Sequence, residues 1–474
     1  MDPTTLSIPK TLQLLSSLSY DISPFSLHIG IPQKERRFKG DRLVRQLLDA
    51  LVFFLHTRPN RGDRFSMTLT IVQNEIVATV AANTSDDIPP SDPNSPQTIL
   101  DTVWRHMVAC SGTAQKATEN TQFATYVLET HLPLLRSRLS KWRVCYESFR
   151  QCSSRFQQSS SLSPAITSYL NDVDKIFGAT VAFSESSKTL AEKFVGEFAA
   201  HIQLCDNLSK QSAKLSGDDR RLLSAFQTSS GKGADTKRYL DVIRFGEKLA
   251  SPLRHISTVL YLCTNPKYQD FLTKPFRIRL LPNPPSIDMP TLSNNWTKEE
   301  VAAVIRRSYT IGWPGCDPEA VTSAIDHLSG VAMDNIGKTR ISGPHCDCLL
   351  VQHHHNEARG ELIMETYIAI SKPCCLQCGL FLDGYNQAVP NGPIFFIRRR
   401  NNHIYPSVVP SIDVVIDGSI EEKMRRKLSL LIAYVVDSYV KDLYARIMAP
   451  MVFGNGVLSE LPPLSAITDS DSEY

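Results

Sequence analysis

A short segment rich in cysteine and histidine constrains this chain more than any other part of its sequence. Five of the 11 cysteines in the 474 residues lie between Cys346 and Cys378. Residues 1–15 lack a basic stretch followed by a long apolar run. We therefore expect no signal peptide, and an intracellular protein, cytoplasmic or nuclear, with reduced thiols. In that setting clustered cysteines indicate a metal site rather than disulfides.

The pair Cys375-x-x-Cys378 places two cysteines at the start of a predicted helix. The unpaired amides and the dipole at a helix start favour thiolate, which is the form that binds metal. His345 stands at another predicted helix start and completes a set of three zinc ligands. Three protein ligands leave the fourth tetrahedral position to water, whose pKa zinc lowers towards neutrality.

Asp347 follows His345 by two residues, so both side chains can reach the same open helix end. A carboxylate beside zinc-bound water can take its proton and deliver it to a leaving amine. That is the chemistry of hydrolytic deamination of a cytosine or adenine ring. The pattern therefore predicts Zn²⁺ on His345, Cys375 and Cys378, with Asp347 as the proton carrier.

The segment resembles the cytidine-deaminase-like superfamily, whose pattern is His-x-Glu followed by Pro-Cys-x-x-Cys. The run from Tyr367 to Lys372, ending in Ser-Lys before the cysteine pair, is similar to a nucleic-acid/nucleotide deaminase branch expanded in fungi. The resemblance covers roughly residues 295–447. It implies a hydrolase acting on a nucleobase in a nucleotide or single-stranded nucleic acid, and a mixed sheet between layers of helices. It also implies the same three zinc ligands, with Asp347 at the position of the proton-shuttling Glu.

Two positions depart from the family pattern. Asp347 is shorter than Glu by one carbon–carbon bond, about 1.5 Å, and a misplacement near 1 Å can cost on the order of 100-fold in rate. Cys374 stands where many members have Pro directly before the first cysteine, and Pro373 comes one residue earlier. Because the carboxylate is shorter, a second interpretation is a non-enzymatic interaction protein that keeps the zinc site as a structural element.

Two other arrangements of the cysteines compete with the open site. Cys346 and Cys348 can join Cys375 and Cys378 in a closed four-cysteine zinc site, which has no position for water. With an open site, Cys346 and Cys348 serve in helix packing. A third interpretation is a thiol redox pair formed by Cys375 and Cys378 without metal.

Basic and aromatic residues follow a strand predicted for residues 393–398. This group is Arg398, Arg399, Arg400, His403 and Tyr405. It is predicted to bind a phosphate, with Tyr405 stacking on a base; the alternative is a basic turn that protects the sheet edge. The run His353-His354-His355 favours a solvated helix end over a second metal site, because adjacent residues cannot share one helix face.

The remaining sequence predicts a two-part protein. Residues 41–57 have helical periodicity, residues 66–83 predict a hairpin around Asn74, and nearly all of 98–263 reads as helical. Beyond the prolines of 281–296, capping boxes at Thr297/Glu300 and Ser419/Glu422 open helices. Strands predicted at 365–371, 393–398 and 413–417 alternate with helices.

The predicted fold class is therefore α+β/α/β, with a mostly helical N-terminal region before an α/β/α sandwich around a mixed sheet. The predicted divisions are a helical region at 1–280, a linker at 281–296, the zinc domain at 297–450 and a flexible acidic tail at 451–474. The role of the helical region is unknown, and it offers a surface for a protein partner. The net charge of +3 predicts no strong pull towards nucleic acid or anionic membranes, and the most apolar run, 428–436, is too short to span a bilayer.

Overall fold

The computed structural model describes the following parts of the chain: residues 8–18, 41–57, 63–83, 92–112, 116–159, 162–185, 197–229, 242–282, 296–315, 321–336, 343–356, 362–363, 366–390, 392–398, 405, 407 and 410–453.

A long hairpin forms the centre of the sheet. Strands β1 (Arg64–Val72) and β2 (Glu75–Asn83) pair antiparallel along their whole length, from Arg64↔Asn83 to Val72↔Glu75. The two turn residues, Gln73 and Asn74, have φ of 47° and 69°. Positive φ at both central positions gives a turn whose twist matches that of the strands, and Asn tolerates this conformation well. The hairpin predicted around Asn74 is confirmed.

The sheet is mixed, as predicted. Strand β3 (Phe276–Leu280) runs parallel to β2, whereas β4 (Leu362–Ile363) and β5 (Ala369–Ile370) pair antiparallel with β1. The strand predicted at 365–371 contains β5, and in the described part of the strand predicted at 393–398 Phe396 forms a parallel bridge with Tyr367. The sheet thus takes strands from both sides of the predicted linker, and the domain boundaries remain a prediction.

Strand β1 separates two environments because successive side chains point to opposite faces. Phe65, Met67 and Leu69 enter one hydrophobic core. Ser66, Thr68 and Thr70 occupy the other face, and all three are fully buried. One face of the sheet is therefore apolar, while the other offers buried hydroxyl groups to the helix that covers it.

The apolar face is covered by the helices of the N-terminal half, which confirms its helical character. They are α2 (Arg42–Leu55), α3 (Pro96–Ser111), α4 (Lys116–Ser159), α5 (Pro164–Glu185), α6 (Phe198–Lys214), α7 (Gly217–Ser229), α8 (Val242–Thr264) and the short α9 (Gln269–Leu272). Helix α4 continues through Pro133 without a break. No helix in the described ranges combines the length and the apolar character needed to cross a bilayer.

A second core lies on the other side of the sheet. It is built by α1 (Ile8–Leu18), α10 (Lys298–Gly312), α11 (Thr322–Ile336), α12 (Cys346–Asn356), α13 (Leu376–Ala388) and α14 (Val414–Phe453). The capping box at Thr297 and Glu300 opens α10 as predicted. Helix α1 joins this core although it comes from the far end of the chain, and Gln13 donates a hydrogen bond to the Ile336 carbonyl at 3.2 Å.

The strand predicted at 413–417 is wrong, because α14 already begins at Val414. The Asp413 carboxylate accepts a hydrogen bond from the Val415 amide at 2.9 Å, and the Asp417 carboxylate accepts one from the Ile412 amide at 2.8 Å. These side chains satisfy amides at the helix start, which have no partner within the helix. The predicted cap at Ser419 consequently lies inside the helix.

Helices α10 and α14 pack too closely at Gly312 to admit a larger residue. A Cβ added to Gly312 would lie 2.5 Å from the Ala433 Cβ. We expect Gly312→Ala to lower the free energy of unfolding by about 1–3 kcal/mol through overpacking. The matched control is Gly330→Ala in α11, where an added Cβ meets nothing within 4 Å; there alanine should be neutral or stabilise by up to about 1 kcal/mol. Urea denaturation of both variants measures the difference, and equal midpoints would contradict the close packing.

Candidate metal centre

The three predicted metal ligands meet where two helices begin. His345 directly precedes α12 and its carbonyl accepts the Leu349 amide at 3.1 Å, while Cys375 is the N-cap of α13. His345 Nδ1 lies 3.0 Å from Cys378 Sγ and 3.3 Å from Cys375 Sγ, and the two Sγ atoms are 3.3 Å apart. All three side chains are buried. The structure therefore brings together residues that the sequence separates.

This triangle fits a tetrahedral metal ion. Zinc bound to nitrogen at about 2.0–2.1 Å and to thiolate at about 2.3 Å holds its ligand atoms roughly 3.5–3.8 Å apart. The observed edges of 3.0 to 3.3 Å are shorter by a few tenths of an ångström, so small side-chain movements open the triangle to that size. One imidazole and two thiols are ligand types that zinc prefers.

The surroundings of the cluster shift the pKa values of Cys375 and Cys378 in opposite directions. Burial acts to raise the pKa of Cys375, but the hydrogen bond with Cys378 and the charge of His345 outweigh it and hold this pKa well below its ordinary value. Burial and the hydrogen bonds with Cys348, Cys374 and Cys375 raise the pKa of Cys378 well above its ordinary value. A bound divalent cation stabilises both thiolates, since metal coordination deprotonates a thiol outright.

Asp347 lies at the edge of the same cluster. Its side chain is 4% exposed, and a carboxylate oxygen lies within 4.8 Å of the sulfurs of Cys348 and Cys378. The carboxylate also accepts a hydrogen bond from the Cys348 amide at 3.2 Å, which fixes its direction at the helix start. The carboxylate thus reaches the ligand Cys378 although aspartate is the shorter acid.

The closed four-cysteine arrangement requires Cys346, which the structure turns towards the sheet. The Cys346 thiol lies beside the Ser66 side chain, and burial raises its pKa to about 12. Among the described residues, neither group of side chains positioned for a metal includes Cys346. Cys348 does more than pack the helix, because its sulfur lies within 4.8 Å of the Cys378 sulfur and of the Asp347 carboxylate.

Asn83 holds the ligand His345 in place, and nothing in the sequence indicated this role. Its Nδ2 donates to the Pro344 carbonyl at 3.0 Å, and its Oδ1 accepts from the Cys346 amide at 2.6 Å. The two bonds flank His345 on both sides, so the end of β2 fixes the start of α12. A contact across 261 residues of sequence leaves no local pattern.

We expect Asn83→Ala to loosen the metal site without removing a ligand. It leaves a buried amide and a carbonyl without their partner, which lowers the free energy of unfolding by about 1–3 kcal/mol. Residues that orient a ligand contribute about 10- to 100-fold to metal affinity, and we expect a loss of that size in zinc competition titrations. Asn94→Ala, at an exposed side chain, is the control; equal zinc affinity in both variants would show that Asn83 does not position His345.

The predicted phosphate-binding group is only partly located. Arg398 forms an ion pair with Asp49 at 3.5 Å, and its side chain is 65% exposed. Tyr405 lies under Arg64, whose guanidinium carbon is 4.4 Å from the ring centroid. The other members of the group, Arg399, Arg400 and His403, lie outside the described residues. Phosphate binding by this group remains a prediction.

The histidine run does not form a solvated helix end, because His353 and His354 are buried. His354 Nε2 lies 2.7 Å from the Thr68 hydroxyl, and His353 Nε2 lies 3.1 Å from Arg279 Nη1. The polar face of the sheet supplies these partners, which the sequence pattern did not reveal. Neither histidine belongs to a group positioned for a metal in the described part of the chain.

Comparison with known proteins gives one match, and it falls on this centre. Residues 344–411 match the family model of the OTT_1508_deam-like deaminases. The matched segment contains His345, Asp347 and the cysteine pair. No curated protein and no solved structure matches the chain. The match supports a deaminase-like domain at the centre described above.

Proposed function

We propose that this protein is a zinc-dependent hydrolytic deaminase that acts on a nucleobase in a nucleotide or a single-stranded nucleic acid. One observation carries the proposal. The side chains of His345, Cys375 and Cys378 form a buried triangle where two helices start, and an Asp347 carboxylate oxygen lies within 4.8 Å of Cys378 Sγ. The deaminase match over residues 344–411 supports the same chemistry.

His345, Cys375 and Cys378 would hold the zinc ion. When bound, zinc lowers the pKa of a water molecule towards neutrality and so supplies a nucleophile for the ring carbon. The protein contributes the fixed positions of the three ligands, because each helix begins on one of them and Asn83 holds the start of α12. Burial keeps bulk water away from the ligand atoms.

Asp347 would carry the protons of the reaction. Its carboxylate takes one proton from the attacking water and delivers it to the exocyclic amine. The carbon–oxygen bond forms, the carbon–nitrogen bond breaks, and the amine leaves as ammonia. Overall, one water is consumed and the amino group of the base is replaced by a carbonyl, so cytosine gives uracil and adenine gives hypoxanthine.

We propose an intracellular setting, cytoplasmic or nuclear, for this activity. The described cysteines, including every member of the cluster, are free thiols, and an intracellular compartment keeps them reduced. The near-balanced charge favours a mononucleotide or a short single strand over a long duplex. The helical N-terminal region is the part that we propose to bind a protein partner.

The second candidate is an interaction protein with a structural zinc site, and the replacement of Glu by Asp347 favours it. A direct assay separates the two. Zinc-loaded protein is incubated with cytidine, adenosine, their 5′-monophosphates and short single strands of each base, and released ammonia and the product base are measured. Turnover of one base supports the deaminase. Zinc-bound protein without turnover on any of them would favour the interaction protein.

A further inference from the structure

Arg64, the first residue of β1, is a half-buried cation whose guanidinium faces an aromatic ring. Its guanidinium carbon lies 4.4 Å from the centroid of the Tyr405 ring. Within the part of the chain that the structure describes, no carboxylate forms an ion pair with Arg64. The stacking holds the guanidinium plane in a fixed orientation while its N–H groups remain available.

The register of β1 places Arg64 near the start of α12, next to which the candidate ligand His345 stands. Side chains two residues apart share one face of a strand, so Arg64, Ser66 and Thr68 point to the same side. Thr68 contacts His354 near the end of α12, and Ser66 contacts Cys346 at its first residue. Two residues further towards the N-terminal end of β1, from Ser66 to Arg64, the strand extends past the start of α12. Arg64 therefore lies beyond the start of α12, the end of the helix next to which His345 stands.

Two pairs of hydrogen bonds connect the surroundings of Arg64 to the starts of α12 and α13. Arg64 pairs directly with Asn83 across the hairpin, and Asn83 binds the two residues that flank His345. On the other side, the Gln377 side chain donates to the Ser407 carbonyl at 2.7 Å and accepts from the Ser407 amide at 2.9 Å. This bond pair fixes the segment that carries Tyr405 to the first turn of α13.

We propose that Arg64, held against Tyr405, binds the phosphate of the substrate nucleotide beside the metal centre. The assignment rests on the proposed function, since it places the phosphate next to the site that receives the base. A guanidinium fork matches the geometry of phosphate oxygens and forms bidentate, charge-assisted hydrogen bonds with them. Arg398, which the sequence predicts to bind a phosphate, forms an ion pair with Asp49 at 3.5 Å.

Equilibrium binding of matched ligand pairs tests the assignment. The probes are cytidine against cytidine 5′-monophosphate, adenosine against adenosine 5′-monophosphate, and single-stranded DNA of about ten nucleotides of each base. We expect the favoured nucleotide to bind wild-type protein about 10- to 100-fold more tightly than its nucleoside. Arg64→Met should remove most of this difference in affinity between nucleotide and nucleoside, while leaving nucleoside affinity and zinc content unchanged. Tighter binding of the mononucleotide would assign the phosphate to a free nucleotide. Tighter binding of the oligomer would assign it to a single-stranded nucleic acid.

The controls separate binding from folding. Arg64→Lys keeps the charge but loses the planar guanidinium group, so it should retain part of the difference in affinity between nucleotide and nucleoside. Arg42→Met removes an exposed arginine elsewhere and should retain all of it. Salt should weaken nucleotide binding to wild type more steeply than to Arg64→Met. Equal binding of nucleoside and nucleotide to wild type, or an unchanged difference in Arg64→Met, would overturn this assignment alone. A zinc-loaded protein that binds none of the probes would overturn the deaminase proposal as well.

Discussion

Replacing Asp347 with Asn should reduce the rate constant of deamination by about 10²- to 10⁴-fold, which is the usual contribution of general acid–base catalysis. The amide has almost the shape of the carboxylate and can still accept the hydrogen bond from the Cys348 amide, now 3.2 Å long. It cannot take a proton from water or pass one to the leaving amine. Zinc content and the unfolding midpoint should therefore stay close to wild type while turnover collapses. Steady-state rates of ammonia release measure the effect.

The matched control for this variant is Asp326→Asn, at an exposed acid in α11. It removes the same charge away from the metal centre and should leave the rate within experimental error. A rate of Asp347→Asn close to that of Asp326→Asn would exclude Asp347 as the proton carrier. Loss of zinc in Asp347→Asn would instead point to a role of the carboxylate in metal binding.

Removing the metal should have the largest effect on stability. Cys378 Sγ lies 3.0 Å from His345 Nδ1 and 3.3 Å from Cys375 Sγ. The variant Cys378→Ser removes this thiolate from the site. A ligand present at about 1,000 times its dissociation constant stabilises the folded state by about 4 kcal/mol. We expect chelation of wild-type protein to lower the free energy of unfolding by about that amount. Cys378→Ser should be destabilised already, and chelator should change it little.

A buried cysteine of the other core provides the control for this experiment. Cys110 packs in α3 among the helices on the apolar face of the sheet. Cys110→Ala should lose some stability through the small cavity it leaves, yet respond to chelator as wild type does. A Cys378→Ser variant with a full wild-type response to chelator would contradict the assignment of Cys378 as a ligand.

The candidate metal ligands could be predicted from the sequence because their signal is local. Cys375 and Cys378 are spaced for one helix start, and His345 and Asp347 for another, so residue type and spacing carry the information. The residues that support these ligands carry no such signal. Asn83 bonds the residues beside His345, and Arg64, which we propose to bind phosphate, stacks on Tyr405; both contacts span more than 200 residues and form only in the folded chain.

The errors in the predicted fold have a similar origin. The apolar run after Asp413 suggested a strand, but a carboxylate hydrogen bond to a backbone amide starts a helix there. The histidines at the end of α12 looked solvated because a helix end is usually exposed. The sheet supplies their polar partners instead: Thr68 of β1 bonds His354, and Arg279 of β3 bonds His353. In both places a specific polar contact overrode the expectation from composition.

Elemental zinc analysis of purified wild type, His345→Ala and Cys346→Ala tests the central claim most directly. The open site that the structure supports uses His345, and Cys346 belongs to neither group of described side chains positioned for a metal. We predict about one zinc per chain in wild type, little or none in His345→Ala, and the wild-type amount in Cys346→Ala. Zinc retained without His345 and lost without Cys346 would establish a closed cysteine site and contradict the deaminase mechanism.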